Sequence, residues 1–314
     1  MGIAMKENNN TSATMYKLLR DIGDIQGIAR TTILALNSFI EAIRELQCSR
    51  EEVADLYIEL ATAIKNSQPK VIPLIHLIER FENDMRQLMK NEPSIEEIRD
   101  SAEKSLNKQI ELFKSNAARV TEHGLQYVKN GDVIIVHSAS SVVTNILIRA
   151  KHSLNMMFRV IVLEQNKERT RQLVQAFRQH DIDYHVTPAH DLSHYVEQAN
   201  KMFLGALTIT SDHKIVAPSG TSGTVSLCHL NNIKVHLFAN TLHYSHKTAT
   251  DQYIYSEEGN TNTANCYFPI TRHSHDLIDL ELIDHVVTEN GETKKDYCPI
   301  DLKAKFKQQN NRLS

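Results

Sequence analysis

The sequence of 314 residues has no tryptophan, only four cysteines, no strong excess of either charge and no long apolar run. Each shortage excludes something. Cys48, Cys228, Cys266 and Cys298 lie far apart with no C-x-x-C pair, which is neither a disulfide framework nor a zinc signature; they read as reduced, mostly packing residues. With 35 basic against 38 acidic residues, the net charge of -3 offers no basic excess for counterion-driven binding, so no direct nucleic-acid contact is expected. No stretch approaches about 18 consecutive apolar residues, and no membrane contact is expected. The segment from Met1 to Asn10 lacks the basic start and apolar run of a secretory signal, which gives a cytoplasmic expectation. What remains is an ordinary globular composition, 41% hydrophobic and 23% charged, long enough for two domains without covalent staples. Histidine, at 16 residues, is the one oddity of abundance.

The chain changes period near its middle. Residues 1–12 are polar and expected to be disordered. Over residues 13–125 apolar positions recur at three and four, as in Leu36, Ile40 and Ile43 or Ile98, Ala102 and Leu106, which predicts a helical domain. Ser49 with Glu52 and Ser94 with Glu97 spell two capping boxes, and Pro73 must lie near a helix start. From residue 126 to 300 short apolar runs replace the helical period: 132–137, 159–163, 184–187, 206–210 and 234–238 read as strands buried on both faces. Helical stretches at 142–152, 168–179, 192–201 and 224–230 separate them. That alternation predicts an α/β fold with a Rossmann-like, doubly wound and mainly parallel sheet. The last residues, 301–314, form a basic tail.

Two strand ends carry small polar residues just ahead of helical pattern. His137-Ser-Ala-Ser-Ser141 and Ser219-Gly-Thr-Ser-Gly-Thr224 could each face an anion with backbone N–H groups at a helix start. There is no phosphate-loop lysine motif, no G-x-G-x-x-G and no G-x-S-x-G, so neither loop is a named nucleotide or hydrolase signature, and no cofactor is implied. His190 and His194 with Glu197, and His273 with His275, fall short of the three or four ligands that zinc requires, so no metal site is expected.

Taken together, a helical first half, Gly131-Asp-Val-Ile-Ile-Val-His-Ser-Ala-Ser-Ser-Val-Val143, Phe203-Leu-Gly-Ala-Leu207, Pro218-Ser-Gly-Thr221 and a helix leading into Val-Val-Thr-Glu-Asn-Gly291 resemble one superfamily in order and spacing. It unites the alpha, beta and delta subunits of eukaryotic translation initiation factor 2B with methylthioribose-1-phosphate isomerase and ribose-1,5-bisphosphate isomerase. The resemblance implies acid–base chemistry from a cysteine and an aspartate at positions that are here Ser138 and Leu207. Leucine exchanges no proton, and a serine hydroxyl is a poor acid or base near neutral pH. No catalytic residue is therefore expected at either position. A divergent isomerase would have to recruit substitutes such as Ser138 with Asp212 or His213. Ala217 and Pro218 replace the family's Asn-Lys pair ahead of Gly220 and Thr221. The segment His137 to Val143 is most similar to the alpha subunit. That likeness implies a non-catalytic, homodimeric regulatory subunit working with other initiation factor 2B subunits and initiation factor 2. It also implies a nucleotide or sugar phosphate held by His137, Ser138, Ser140, Ser141, Ser219, Gly220 and Thr221. A mimic acting on translation factors by protein binding alone is the third expectation.

Overall fold

Both Ser-x-x-Glu boxes start helices in the way their spacing requires. The Ser49 N–H donates to the Glu52 carboxylate at 3.0 Å while the Glu52 N–H donates back to Ser49 Oγ at 3.4 Å. Ser94 and Glu97 repeat the exchange at 2.8 and 3.2 Å. Each box satisfies backbone donors that have no partner in a first helical turn. The computed structural model describes residues 27–45, 48–66, 70–137, 140–164, 166–252, 256–263 and 266–294. The expected disordered start, 1–12, and the basic tail, 301–314, lie outside the described residues. The chain divides into two units, Met1–Ala117 and Ala118–Ser314.

The first unit contains α1 (27–45), α2 (Arg50–Asn66), α3 (Ile72–Leu88) and the greater part of α4 (Ile95–Gly124). Pro73 sits in the first turn of α3, where its missing N–H costs no hydrogen bond. The apolar faces close on an aromatic centre. Phe39 meets Phe81 at 5.1 Å and Tyr57 at 6.4 Å between ring centroids, both edge-on.

The second unit is built on a seven-stranded sheet. Its strands are β1 (Val133–Val136), β2 (Arg159–Glu164), β3 (Asp183–Pro188), β4 (Lys201–Gly205), β7 (Lys234–Phe238), β11 (His285–Thr288) and β12 (Gly291–Thr293). They lie in the order β12-β11-β7-β4-β1-β2-β3, parallel throughout except for β12 against β11. The near-continuous apolar runs follow from burial on both faces. Ile135, Met202, Leu204, Val235 and Leu237 belong to one core, and Ile134, Val136, Phe203 and Phe238 to the other. Helices α5 (Ser141–Ser153) and α6 (Lys167–Gln179) pack into the second core through residues such as Val143, Ile146, Leu173 and Phe177. Helix α7 (Thr221–Leu230) packs into the first core, as does a small antiparallel sheet ordered β10-β6-β5, made of His275–Asp279, Lys214–Pro218 and Thr208–Ile209. A separate ribbon pairs β8 (Ser256–Thr263) with β9 (Cys266–His273).

Three elements differ from the sequence reading. The fourth strand of the main sheet is Lys201–Gly205, and Thr208–Ile209 of the expected strand pairs instead with β6. The expected helix over 192–201 is a 3-10 segment, Ala189–His194, followed by turns. Leu192, Tyr195, Val196 and Ala199 have helical spacing because a compact turn also brings them onto one core. The helix expected before Val286 is a single 3-10 turn, Leu280–Leu282.

What fixes β4 in place is a buried carboxylate. Asp132, at 5% exposure, accepts from Lys201 Nζ at 2.5 Å, from Asn200 Nδ2 at 2.9 Å and from the Lys129 N–H at 2.7 Å. The backbones of Asn200 and Val133 are tied as well, since the Asn200 N–H donates to the Val133 carbonyl. The chain thus runs outward from β1 to β2 and β3, then returns to β4 on the other side of β1. A crevice opens at the carboxyl ends of the two strands where such a reversal occurs.

Phe203 lies at the centre of this arrangement and is fully buried. Phe203→Ala is expected to cost about 3–5 kcal/mol through lost transfer energy and the cavity left behind. Urea unfolding with equal slopes for both proteins measures it, and a loss below about 1 kcal/mol would show that β4 is not packed as described.

Candidate functional site

At this edge the end of β1 meets the start of α7 through His137 and Thr221, and the end of β4 meets the start of α5 through Gly205 and Ser140. His137 leaves β1 buried, with 2% exposure. Its Nδ1 lies 2.9 Å from Thr221 Oγ1, and the Thr221 hydroxyl donates to the Pro218 carbonyl at 2.5 Å. Because that proton is committed, Thr221 accepts from His137 Nδ1–H, and Nε2 carries the lone pair. Burial lowers the pKa of His137 to about 4, against the opposing pull of the Asp276 carboxylate, so the ring is neutral at pH 7. Gly220 caps α7 with φ at +88°, and a Cβ there would lie 3.3 Å from His137 Nε2. Glycine is needed at 220 both for its backbone and for its close approach to the ring.

Of the sequence-derived candidates, His137, Gly220 and Thr221 come together in this way. Ser219 is exposed in the turn ahead of Gly220. Ser140 is the N-cap residue of α5 without a side-chain capping bond, and Ser141 is its first residue. Ser138 lies outside the described residues. The sequence reading began α7 at Thr224; the helix starts three residues earlier, making Thr221 its first residue. Leu207 is half-buried just past β4, with its N–H donating to the Val216 carbonyl at 3.0 Å. Asp212 and His213 lie in the turn between β5 and β6, where the Asp212 carboxylate accepts the Ala249 N–H at 2.9 Å. His190 sits beside Asp191 on the surface at 3.7 Å, and among the described residues no three His, Cys, Asp or Glu side chains converge for a metal ion.

Several residues of this edge, Asp276 first among them, were not singled out from the sequence, although its neighbour His275 was, as half of a histidine pair. Asp276 on β10 accepts the Ser222 N–H at 2.8 Å, so a carboxylate of the chain itself stands at the N-terminus of α7. Antiparallel pairing of β10 with β6 sets it there, with Asp276 opposite Ala217 and His275 opposite Pro218. Nothing local marks an acid 54 residues away as the partner of Ser222. Burial lowers His275 to about 4, the Arg169 guanidinium lowers it further and Asp276 opposes. Beyond β7 and β11, the Glu289 carboxylate accepts the Thr241 N–H at 2.8 Å, and Asn240 Oδ1 lies 2.8 Å from His243 Nδ1.

On the other side of the crevice the loop out of β1 meets β4. A Cβ on Gly205 would lie 2.7 Å from Ser140 Oγ and 2.9 Å from its Cβ, closer than real contacts allow. Gly205→Ala is expected to destabilise the protein by about 1–3 kcal/mol through overpacking. Gly223→Ala meets open space inside α7 and is expected to gain about 0.5–1 kcal/mol. Thermal melts of the two variants should move in opposite directions; a shared direction would contradict the close approach at 205.

Four histidines, His137, His236, His243 and His275, have pKa values lowered to about 4, chiefly by burial. Unfolded, each titrates near 6.5. The unfolded chain therefore takes up protons first as pH falls, and stability is full above about 6.5 and lost progressively towards 4. The expected loss between pH 7 and 5 is about 2 kcal/mol for each histidine. Urea midpoints across that range measure it, and a flat profile would refute neutral burial of these rings.

The family model of the initiation factor 2 subunit family matches residues 24–295. Translation initiation factor eIF2B subunit delta of Dictyostelium discoideum is 24% identical over 232 residues, covering 68% of this chain and 38% of that protein. The chain thus spans well under two thirds of this relative. The fold is shared with the translation initiation factor eIF-2B of Pyrococcus horikoshii OT3, with a TM-score of 0.75 at 22% identity over 90% of this chain and 96% of that one. It is shared too with the tetrameric eIF2B-beta2-delta2 complex of C. thermophilum, TM-score 0.68 at 13% identity and 91% of each chain. A third such structure is 5-methylthioribose 1-phosphate isomerase of Pyrococcus horikoshii OT3, TM-score 0.68 at 14% identity over 93% and 87%. The family match, extending from within the helical unit through β12, means that this chain belongs to the initiation factor 2 subunit family.

Proposed function

We propose that the chain is a non-catalytic, regulatory subunit of the initiation factor 2B type, acting in translation initiation by assembly with related subunits. The observation that carries this is Leu207. At the position where the isomerase branch is expected to hold a proton-transferring aspartate, this chain has a half-buried leucine whose backbone is tied to β6. A hydrocarbon there moves no proton. The segment from His137 to Val143 favours the alpha branch, whereas the Dictyostelium relative is a delta subunit, so the proposal is the role that the alpha, beta and delta subunits share. Partners of the same family are supported by the beta–delta tetramer of C. thermophilum, and self-association into a homodimer remains part of the proposal.

The crevice is proposed to hold a small phosphorylated ligand, a nucleotide or sugar phosphate. His137, Gly220 and Thr221, which touch one another, would form one side of it, and Ser140 with Ser141 the other. The start of α5 on this sheet edge supports this reading, whereas the Ser222 N–H at the start of α7 already donates to Asp276.

Tagged full-length chain expressed in its own organism is expected to co-purify with other initiation factor 2B subunits, identified by mass spectrometry. Recovery of the chain without any of them would overturn the proposal. Incubation with ribose 1,5-bisphosphate or methylthioribose 1-phosphate, followed by carbon NMR, is expected to show no ketose product. Turnover would establish an isomerase instead.

A further inference from the structure

Outside the crevice, the ends of α5 and α6 bring two histidines together. His180 Nδ1 lies 2.9 Å from His152 Nε2, with ring centroids 4.9 Å apart and planes at 71°. The two residues stand 28 apart in sequence, so only the packing of the helices places them side by side. Both backbones are held. The Met156 N–H closes the end of α5 on the carbonyl of buried Ala150, and the Ile182 N–H closes α6 on the carbonyl of buried Phe177, each at 3.0 Å.

At 2.9 Å one ring nitrogen donates its proton to the lone pair of the other. The same separation suits a metal ion. An imidazole nitrogen binds a transition metal at about 2.0–2.1 Å, so two of them at a right angle span about 2.9 Å. Turning both lone pairs onto one ion takes rotation of each ring about χ2, a soft torsion, and a shift of one proton to the outer nitrogen of its ring. The surroundings favour a cation. His152 is in the last turn of α5 and His180 caps α6, where carbonyl ends carry partial negative charge, and Asp181 follows His180 in the chain. Two cations share these turns, and each has a partner elsewhere. Lys151 Nζ is directed to Met157 Sδ at 3.7 Å, and Arg178 Nε donates to the Tyr184 hydroxyl at 2.6 Å. His152 is exposed and His180 half-buried, so water can reach an ion held between them.

We propose that His152 and His180 form a two-imidazole site for a divalent transition-metal cation, water filling its other positions, and that the bound ion staples the end of α5 to the end of α6. Imidazole ligands at a right angle put copper(II) first and nickel(II) next, whereas magnesium and calcium take oxygen ligands and are not held. With two protein ligands the site is open, unlike the closed four-ligand structural zinc sites.

The probe is copper(II) alone, added to the full chain at pH 7.5 in a non-coordinating buffer and followed by electron paramagnetic resonance and thermal melting. The wild type is expected to take up an equivalent whose spectrum shows splitting from two nitrogens. Its melting temperature should rise, since the paired rings exist only in the folded chain. His152→Ala and His180→Gln should each weaken that equivalent at least about tenfold, because losing one ligand ends chelation, and should abolish the rise. His190→Ala, a surface histidine outside the pair, should match the wild type. The inference is overturned if His152→Ala or His180→Gln, melting cooperatively without metal, keeps the two-nitrogen signal at wild-type affinity. It is equally overturned if the wild type binds no copper(II), or if magnesium raises its melting temperature as much.

Discussion

The placement of β4 beside β1 is the constraint from which the rest of the second unit follows, and a single buried acid secures it. Asp132 draws Lys201, Asn200 and the Lys129 amide to one point at the entry to both strands. A charge with 5% exposure is tolerable in a core only when it is paired and hydrogen-bonded, and here both conditions are met. From that anchor the parallel ladder carries the register forward, Ile134 against Lys201 and Val136 against Phe203. His137 and Gly205 consequently emerge at the same edge. The crevice at their carboxyl ends is thus a product of pairing at the opposite end of the strands.

The same edge brings together a neutral histidine, two helix starts and close glycine contacts. Its proposed role is to hold something small. What it lacks at Leu207 is a group able to transfer a proton. Membership of the initiation factor 2 subunit family accommodates both observations, because its fold is also that of an isomerase of Pyrococcus horikoshii. The proposed binding would depend on fixed dipoles and charges, which need no acid–base pair.

Much of this was legible in the residues. Capping boxes, the switch from helical period to short apolar runs, and the strand ends at His137 and Gly220 are local signals, and the physics behind each acts over a few residues. The failures come from interactions across sequence. Residues 192–201 satisfy a helical spacing, yet Asn200 is claimed by Asp132 and Val133, which pulls the chain into a strand at Lys201. Thr221 looked like loop because Asp276, which accepts the Ser222 N–H in the first turn of α7, reaches that helix only through the pairing of β10 with β6. Asp276 itself sits between His275 and Leu277 in a short edge strand whose apolar residues do not alternate with polar ones. No pattern within its own segment distinguishes it.

The anchor at Asp132 also has a kinetic side. β1 finds β2 after a short excursion, Val133 pairing with Arg159, whereas its pairing with β4 joins Ile134 to Lys201 and closes a much longer loop. Loop closure costs more entropy as the separation grows, and sheets dominated by distant contacts assemble slowly. The half-sheet of β1, β2 and β3 can therefore form while the flank of β1 that β4 will occupy is still open. On that order of events the crevice exists only in the completed fold, and a nascent chain stalled before residue 201 exposes an unpaired strand edge at the centre of what will become its sheet.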